Sequence, residues 1–450
     1  MFRSGRSSAA LVILLVASTA ACSDDAAVAP PTDTATPRLI RELAAVRGIV
    51  PLEKPAPVRP ELVHLGQALA FDKILSGNHD VSCTSCHLPA FSTSDGRNLS
   101  IGAGGSGFGP ARTHPDGALI ARNSPPMFNL STLRHMFWDG RVEVDEGGHF
   151  ETPAGAQLTP EMTSVFEFGA LSAQPMFPVL SRAEMRGASG NELDDIPDDS
   201  ARLIWSALMK RLGDIPEYRT LFEAAYPGVN FDDMNFAYAS NAIAGFIVDR
   251  MSFNDTPWDR FLAGDDQALS PAQLQGAETF MVAKCSICHD GATFSDDKFH
   301  DVAVVQVGPG EGNGASLTDD FGRMNVTGSP ADKYLFRTTP LRNVELTAPY
   351  GHDGAYTTLR EFVEHYSESD KKLMEFDPSE LNASLQATLL TSNKPDILAN
   401  RDTLLTGVVL TPEVVDQLLA YMSALTDDAA RDLSGIIPAK VPSGLPVDRP

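Results

Sequence analysis

The chain has 450 residues, of which 43% are hydrophobic and 21% charged, and its formal net charge is −24. This length exceeds what one small core needs and predicts two domains with additional tails. The acidic excess argues against a nucleic-acid partner, because nothing would neutralise the phosphates, and it favours a basic protein as partner.

The N-terminus predicts export from the cytoplasm. Two early arginines form a basic start, an apolar run covers Ala9–Ala17, and small residues lead to Cys22. We interpret residues 1–22 as a secretory signal, too short to be a membrane-spanning helix. The run before Cys22 resembles a bacterial lipoprotein site, which predicts a lipid anchor; cleavage near Ala21, leaving a free thiol, is the alternative. Both interpretations place the mature protein in the periplasm.

Composition and periodicity organise the rest of the chain. Residues 23–56 are rich in Ala, Pro, Thr and Asp and predict a flexible tether, and residues 436–450 predict an extended, Pro-rich C-terminal tail. Between them, apolar stripes predict helices from Leu203 to Leu212 and over Phe236–Val248. A third helix is expected after Thr411-Pro412, which is a favourable N-cap followed by proline.

Strand and nucleotide-binding signals are weak. Val302–Val307 is the best short strand candidate. Gly102–Gly109 resembles a phosphate-binding loop only superficially, because no Lys-Ser/Thr pair follows and no helix opens there. The long Gly-, Pro- and Asp-rich intervals favour a fold in which a few helices hold a large cofactor.

Two copies of the pattern C-x-x-C-H occur about 200 residues apart. Cysteines three apart on a helical turn face the same way, so each can form a thioether with one haem vinyl group while the adjacent His binds the iron. A thioredoxin-like pair or half of a zinc site requires no His directly after the second Cys. The pattern therefore predicts two covalently bound haem c groups, on Cys83, Cys86 and His87 and on Cys285, Cys288 and His289.

Helical segments are expected on both sides of each motif, and a helix beginning at Ser270-Pro271 precedes the second. The chain is therefore predicted to be all-α, with two cytochrome c-like haem domains and long irregular loops. We place the first domain at residues 57–250 and the second at residues 251–435.

Further segments around the two motifs carry a family resemblance. They are Leu65-Gly66 through Phe71-Asp72, Ser100-Ile101-Gly102, Arg122-Asn123-Ser124-Pro125, Phe137-Trp138-Asp139-Gly140-Arg141, Pro340-Leu341-Arg342-Asn343 and Leu346-Thr347-Ala348-Pro349-Tyr350. With them the chain resembles, over roughly residues 60–430, the bacterial di-haem cytochrome c peroxidase and MauG family. The resemblance implies an enzyme that reduces hydrogen peroxide with electrons from a small donor protein, a cytochrome c or a cupredoxin. Whether it forms a homodimer is left open.

The resemblance also implies roles around the first haem. Many family members carry a distal His just after the Ser-Ile-Gly segment, where this chain has Ala103, and this implies an open iron position for peroxide. His114, in a nearby loop, is the alternative ligand. Glu184 is implied as the carboxylate that moves a proton between the peroxide oxygens. Gln174 and Pro178 fall at the spacing of the distal pocket.

At the second haem, peroxidases of the family use a Met ligand and MauG-type enzymes a Tyr. Counting from Pro349, the equivalent position is Tyr366. His365 competes with it, and because adjacent helical residues point about 100° apart, only one of them can face the iron. Trp138 matches the tryptophan that lies between the two haems, where it can relay an electron.

Asn123, Thr347 and Pro349 correspond to an interdomain calcium site in the family, supplying oxygen ligands. The leading prediction is a peroxidase in which the first haem reacts with hydrogen peroxide and the second exchanges electrons. A MauG-like oxidase acting on a protein or organic substrate is one alternative, and a non-enzymatic di-haem electron carrier is another.

Overall fold

The computed structural model describes residues 36–449, so the predicted signal peptide and Cys22 lie outside the described residues. The described chain is mostly helical, with two small antiparallel sheets and long irregular connections. In this part of the chain no helix is both long and apolar enough to cross a membrane.

A first hydrophobic core is built mainly by residues 62–253. Its two main helices pack closely at Gly66, where an added Cβ would lie 1.9 Å from the carbonyl oxygen of Ala242. Helix α1 (Pro37–Val46) precedes this core in sequence and packs on the second one. The helices of the first core are α2 (Pro60–Phe71), α3 (Cys83–Cys86), α4 (Pro160–Thr163), α5 (Ala170–Ala173), α6 (Ala201–Gly213), α7 (Pro216–Ala225) and α8 (Phe236–Arg250).

A second core is built mainly by residues 258–425 and repeats this arrangement. Gly276 lets two helices meet, since its added Cβ would lie 1.9 Å from the carbonyl oxygen of Gln417. The helices are α9 (Pro257–Leu262), α10 (Pro271–Val282), α11 (Cys285–Cys288), α12 (Met324–Thr327), α13 (Leu359–His365), α14 (Ser369–Met374), α15 (Ala383–Gln386), α16 (Lys394–Asn400) and α17 (Pro412–Ser423).

The predicted helix starts are confirmed by their caps. Ser270 and Gln273 form a capping box at the start of α10. The Thr411 hydroxyl accepts the backbone N–H of Val414 at the start of α17. The stripe prediction for α6 is wrong at Leu203, whose surface is 57% exposed, because the buried face of α6 runs through Ile204 instead.

The short strands do not include the predicted one. One sheet contains β1 (His135–Met136), β2 (Val142–Val144) and β3 (Phe150–Glu151), and the other pairs β4 (Phe299–His300) with β5 (Phe336–Arg337). Val302–Val307 forms no strand; apart from one bridge at Gln306, it is irregular, because Ala303 has a left-handed backbone with φ of 59° that interrupts the extended chain.

The tether prediction is wrong from residue 37 onward. Residues 37–46 form α1, which Thr36 caps, and Ile40 and Ala44 are completely buried in the second core. The Arg41 guanidinium donates to the carbonyl oxygen of Phe261 and to Asp266. The N-terminal segment is therefore an integral layer of the second core.

The C-terminal tail is irregular, but it is not free. Val441 is buried in the first core, although the residues before Asp427 belong to the second. Asp448 is 2% exposed and contacts both Lys73 at 2.6 Å and the Ser85 hydroxyl at 2.5 Å. The two ends of the described chain thus cross over, each packing on the core that lies farther from it in sequence.

Candidate functional site

The first C-x-x-C-H motif forms one helical turn, α3, followed by His87. Ser82 and Ser85 close a capping box on this turn. The His87 Nδ1–H donates to the carbonyl oxygen of Thr93 at 3.0 Å, and the Ser124 hydroxyl lies 3.1 Å from the same nitrogen. Burial lowers the pKa of His87, so its imidazole stays neutral with Nε2 available to a metal.

The second motif repeats this geometry in α11 and His289. The His289 Nδ1–H donates to the carbonyl oxygen of Phe294 at 2.9 Å, and burial lowers the pKa of His289 too. Thr93 and Phe294, which accept from the two histidines, both adopt left-handed backbone, with φ of 64° and 59°. Both motifs therefore present the same neutral, pre-oriented imidazole.

The four motif cysteines form no disulfide. Burial raises the pKa of Cys83 to about 11 and that of Cys285 to about 12, so these thiols are protonated near neutral pH. Redox pairs and zinc sites need easily ionised thiols. The environment therefore fits thioether attachment of an apolar macrocycle better than either alternative.

An internal, mainly apolar cavity adjoins the second motif. Cys285, Cys288 and His289 line one side of it, and Tyr366 lines it as well. Its remaining wall includes the apolar side chains Val302, Val304, Leu359, Phe362, Val363, Leu410, Leu418 and Met422. A cavity with two cysteines, a neutral histidine and apolar walls fits a covalently bound haem.

The two candidates for the second iron ligand have different surroundings. His365 is completely buried; its Nδ1 lies 2.6 Å from the Tyr356 hydroxyl and its Nε2 lies 2.6 Å from the carbonyl oxygen of Val302. Tyr366 follows α13, lines the cavity, and makes no hydrogen bond through its hydroxyl within residues 36–449. The geometry favours Tyr366, because both nitrogens of His365 are already occupied.

Glu184 lies in a single π-helical turn, Arg182–Arg186, an element that often marks functional sites. The loop after the first motif packs directly on this turn: the Ala103 N–H donates to the Glu184 carbonyl oxygen at 3.0 Å. Gly102 permits this approach, since an added Cβ would lie 2.0 Å from the Ala183 carbonyl oxygen. Ala103, where a distal His would stand, is therefore beside Glu184.

The Glu184 carboxylate faces an open cleft of about 1040 Å³. One of its oxygens lies 3.9 Å from the Arg141 guanidinium, and 24% of its side chain is exposed. Burial raises the pKa of Glu184, and the charges of Arg141 and Arg122 partly oppose that rise. Gln174 and Pro178 lie half-buried in turns that lead toward Glu184, but they are not among the residues lining the cleft.

Residues 138–141 connect the two sites. Trp138 lines the cavity of the second motif, and its indole N–H donates to the Asn123 carbonyl oxygen at 2.9 Å. The next residues, Asp139 to Arg141, line the cleft of Glu184. Asp139 is buried, which opposes its ionisation, yet Arg141 and Arg122 hold its pKa at about 2. Arg122 also contacts Asp320 of the second core at 2.7 Å.

Asn123, Thr347 and Pro349 all line the second cavity near Trp138. The Asn123 amide N–H₂ donates to the carbonyl oxygens of Arg97 and Asn98, which leaves Oδ1 without a donor among the described residues. This free oxygen suits a hard cation.

His114, the alternative ligand predicted for the first haem, packs against Gly104, and its Nδ1 accepts two backbone N–H groups.

Some residues of the second cavity were missed by sequence reasoning. His300 lies between Asp402 at 2.6 Å and Asp296 at 3.2 Å; its bond to Asp296 is the main cause raising the pKa of His300 to about 11. Burial raises the pKa of Asp301 to about 8. These residues occur in an acidic stretch that carries no distinguishing pattern, so no sequence signal could have found them.

Comparisons with known proteins agree with this geometry. Residues 60–267 match the family model described as di-haem cytochrome c peroxidase. The cytochrome c551 peroxidase of Pseudomonas aeruginosa is 30% identical over 312 residues, covering 68% of this chain and 72% of that protein. The methylamine utilization protein MauG of Methylorubrum extorquens is 28% identical, covering 72% of this chain and 73% of that protein.

Solved structures support the same assignment. A MauG-like protein associated with microbial copper homeostasis has a TM-score of 0.60 and 26% identity, covering 86% of this chain and 94% of its own. The di-haem peroxidase BthA of Burkholderia thailandensis shares the fold, with a TM-score of 0.57 and 20% identity, covering 88% of this chain and 91% of its own. Sequence, fold and motif geometry together establish that the chain belongs to the di-haem cytochrome c peroxidase family, as a cytochrome c peroxidase-like oxidoreductase.

Proposed function

We propose that the chain reduces hydrogen peroxide to water beside His87, with Glu184 as the proton-transfer group and electrons arriving through the second site. Family membership implies two haem c groups, and the two motifs with neutral histidines fit them. The observation that carries the proposal is the backbone hydrogen bond from Ala103 to Glu184, which puts a residue that cannot bind iron, where many family members carry a distal His, next to a carboxylate-bearing residue.

His87 would hold the haem iron, which when bound would supply the centre for peroxide binding and O–O cleavage. The Glu184 carboxylate would accept a proton from one oxygen of the bound peroxide and deliver it to the other oxygen, which then leaves as water. Two electrons and two further protons complete the conversion of peroxide to two waters. Arg141 orients the carboxylate, and Gln174 and Pro178 shape the turns before it.

Electrons are proposed to enter from a small donor protein, a cytochrome c or a cupredoxin, at the unit that carries His289 and Tyr366. Trp138 then relays them, because it lies in the wall of the second cavity while its neighbours in sequence line the Glu184 cleft. The proposed units, residues 57–250 and 251–435, contain one motif each, and the two motifs pack against different cores. The net charge of −24 favours a basic donor.

A calcium ion is proposed between the units on Asn123, Thr347 and Pro349, supported by the free Asn123 oxygen. Chelation should then slow electron transfer between the haems and Ca²⁺ alone should restore it. The periplasm is the proposed compartment, and lipid on Cys22 the proposed anchor, both on the strength of the N-terminal sequence.

A MauG-like oxidase is the second candidate, and Tyr366 is the observation that favours it. A phenolate is a hard anionic donor, which stabilises ferric iron and suits a haem that stores oxidising equivalents. Such an enzyme would take electrons from a protein or organic substrate instead of a donor protein.

The test combines spectra with turnover. Ferric holoprotein should show one high-spin and one low-spin haem in electron paramagnetic resonance, and one equivalent of peroxide should change the spectrum rapidly. Sustained turnover with reduced cytochrome c indicates the peroxidase. Rapid reaction with peroxide without donor turnover indicates the oxidase. Two low-spin haems that ignore peroxide, even after partial reduction, would contradict both.

A further inference from the structure

Three segments of the second core meet at one buried imidazole. His365 is the last residue of α13, and its surface is completely buried. Its Nδ1 and Nε2 each make a 2.6 Å hydrogen bond, to the Tyr356 hydroxyl and to the Val302 carbonyl oxygen. Since a carbonyl oxygen can only accept, Nε2 carries the proton, and Nδ1 accepts from the Tyr356 hydroxyl. The two bonds select one tautomer and one ring orientation.

We infer that His365 is a positioning residue that holds Tyr366 against the second haem, through its bridge from Tyr356 to Val302. This inference rests on the proposed role of Tyr366 as iron ligand.

The position of Tyr366 depends on this bridge because no hydrogen bond among the described residues holds its hydroxyl. It is the C-cap of α13, the first residue beyond the regular helix, and its hydroxyl makes no hydrogen bond within residues 36–449. The residue before it is tied to Val302, which lines the same cavity as Tyr366. The chain after it is held by the Ser367 hydroxyl, which accepts the Leu410 N–H at 2.8 Å. The end of α13 is thereby fixed at both sides of Tyr366.

The bridge would also decide which haem reacts. A tyrosine held firmly on the second iron excludes peroxide from that iron, so peroxide reaches only the site beside Glu184. A loosened tyrosine would open a second reactive centre. Residues behind a metal ligand commonly change metal-site affinity or activity about 10–100-fold when removed.

The test is an imidazole titration of ferric holoprotein, following the electron paramagnetic resonance signal of the second haem. Tyr356→Phe removes only the bridging hydroxyl, and His365→Leu removes both bonds. Tyr421→Phe is the matched control, since its hydroxyl is buried in the same core without a hydrogen-bond partner among the described residues. We expect the two bridge variants to need about 10–100-fold less imidazole than the wild type for half of the second haem to bind it. The control variant should titrate like the wild type.

The outcomes separate this inference from the proposed function. If only Tyr366→Phe makes the second haem bind imidazole more readily, while Tyr356→Phe titrates like Tyr421→Phe, the positioning role is overturned and the ligand assignment stands. If Tyr366→Phe leaves the second haem unchanged, the ligand assignment fails. Should His365→Leu abolish the low-spin signal while both tyrosine variants keep it, His365 itself is the ligand. Tyr356→Phe keeps the test valid if His365→Leu does not fold.

Discussion

Single residues decide how the Glu184 cleft can act. The Glu184 carboxylate lies in a partly buried turn, and one of its oxygens is 3.9 Å from the Arg141 guanidinium, which is longer than a direct hydrogen bond. Burial raises the pKa of this carboxyl group, and no tight ion pair among the described residues occupies its oxygens. The carboxylate therefore retains the ability to accept a proton from a bound ligand.

Replacing the carboxylate should remove proton transfer and preserve structure. We expect Glu184→Gln to lower the second-order rate constant for peroxide about 10²–10⁴-fold, the usual contribution of general acid–base catalysis. Stopped-flow absorbance of the ferric holoprotein measures this rate. Glu151→Gln, in the same cleft and exposed, is the control and should react like the wild type. Equal rates in both variants would remove Glu184 from the mechanism.

The pH dependence of the same rate follows from the ionisation of Glu184. Burial raises its pKa, and only the ionised form can accept the peroxide proton, so the rate should rise as pH increases through that pKa. Arg141→Gln removes a charge that lowers the pKa of Glu184 and should therefore move this rise of the rate to higher pH. The rise should be absent in Glu184→Gln. A pH dependence that remains in Glu184→Gln would belong to another group.

At the scale of elements, each core depends on one close helix crossing. α2 meets α8 at Gly66, and α10 meets α17 at Gly276, with an added Cβ only 1.9 Å from the opposite carbonyl oxygen in both places. α10 leads directly into the second motif, as α2 precedes the first. The crossing thus sets where each C-x-x-C-H turn stands relative to its core.

We expect Gly276→Ala to destabilise the second core by about 1–3 kcal/mol, because the added methyl group overpacks a backbone contact. Denaturant unfolding of the holoprotein, followed by the absorbance of the second haem, measures the change. Gly435→Ala is the control, since nothing lies within 4 Å of its added Cβ. An unchanged midpoint in Gly276→Ala would mean that the two helices can separate without cost.

For the whole molecule, the crossed termini tie the two cores together. α1 lies on the second core, and the tail after Asp427 returns to the first, where Asp448 contacts Ser85 inside the haem-attachment turn. The Arg122–Asp320 ion pair joins the cores near the Glu184 cleft. The relative position of the two motifs therefore depends on contacts that span the entire described chain.

Asp448→Asn tests the tail. Lys73 is only 13% exposed, and removing the charge of Asp448 leaves it without its ionic partner. Breaking a buried pair costs about 3–5 kcal/mol, so the calorimetric unfolding temperature of the first unit should fall clearly. Asp428→Asn breaks an exposed pair, with Asp428 93% exposed, and should cost about 0–1 kcal/mol. Similar curves for both variants would show that the tail does not support the first unit.

The sequence by itself determined the cofactor chemistry, because covalent attachment needs adjacent residues in a fixed pattern, and C-x-x-C-H is local. It also determined the helix starts at Ser270 and Thr411, since caps act over three or four residues. The family resemblance pointed to Glu184 and Tyr366, and their roles stay predictions.

Only the tertiary structure decided which ring of the His365–Tyr366 pair faces the cavity, since that depends on a carbonyl oxygen of Val302, 63 residues away in sequence. It likewise decided that residues 37–46 form a buried helix and that the Pro-rich tail is anchored. Composition describes solubility and local stiffness, whereas burial depends on surfaces that distant segments bring together. For the same reason the sequence did not reveal that Val302–Val307, apolar enough for a strand, is irregular, with Val302 and Val304 lining the cavity.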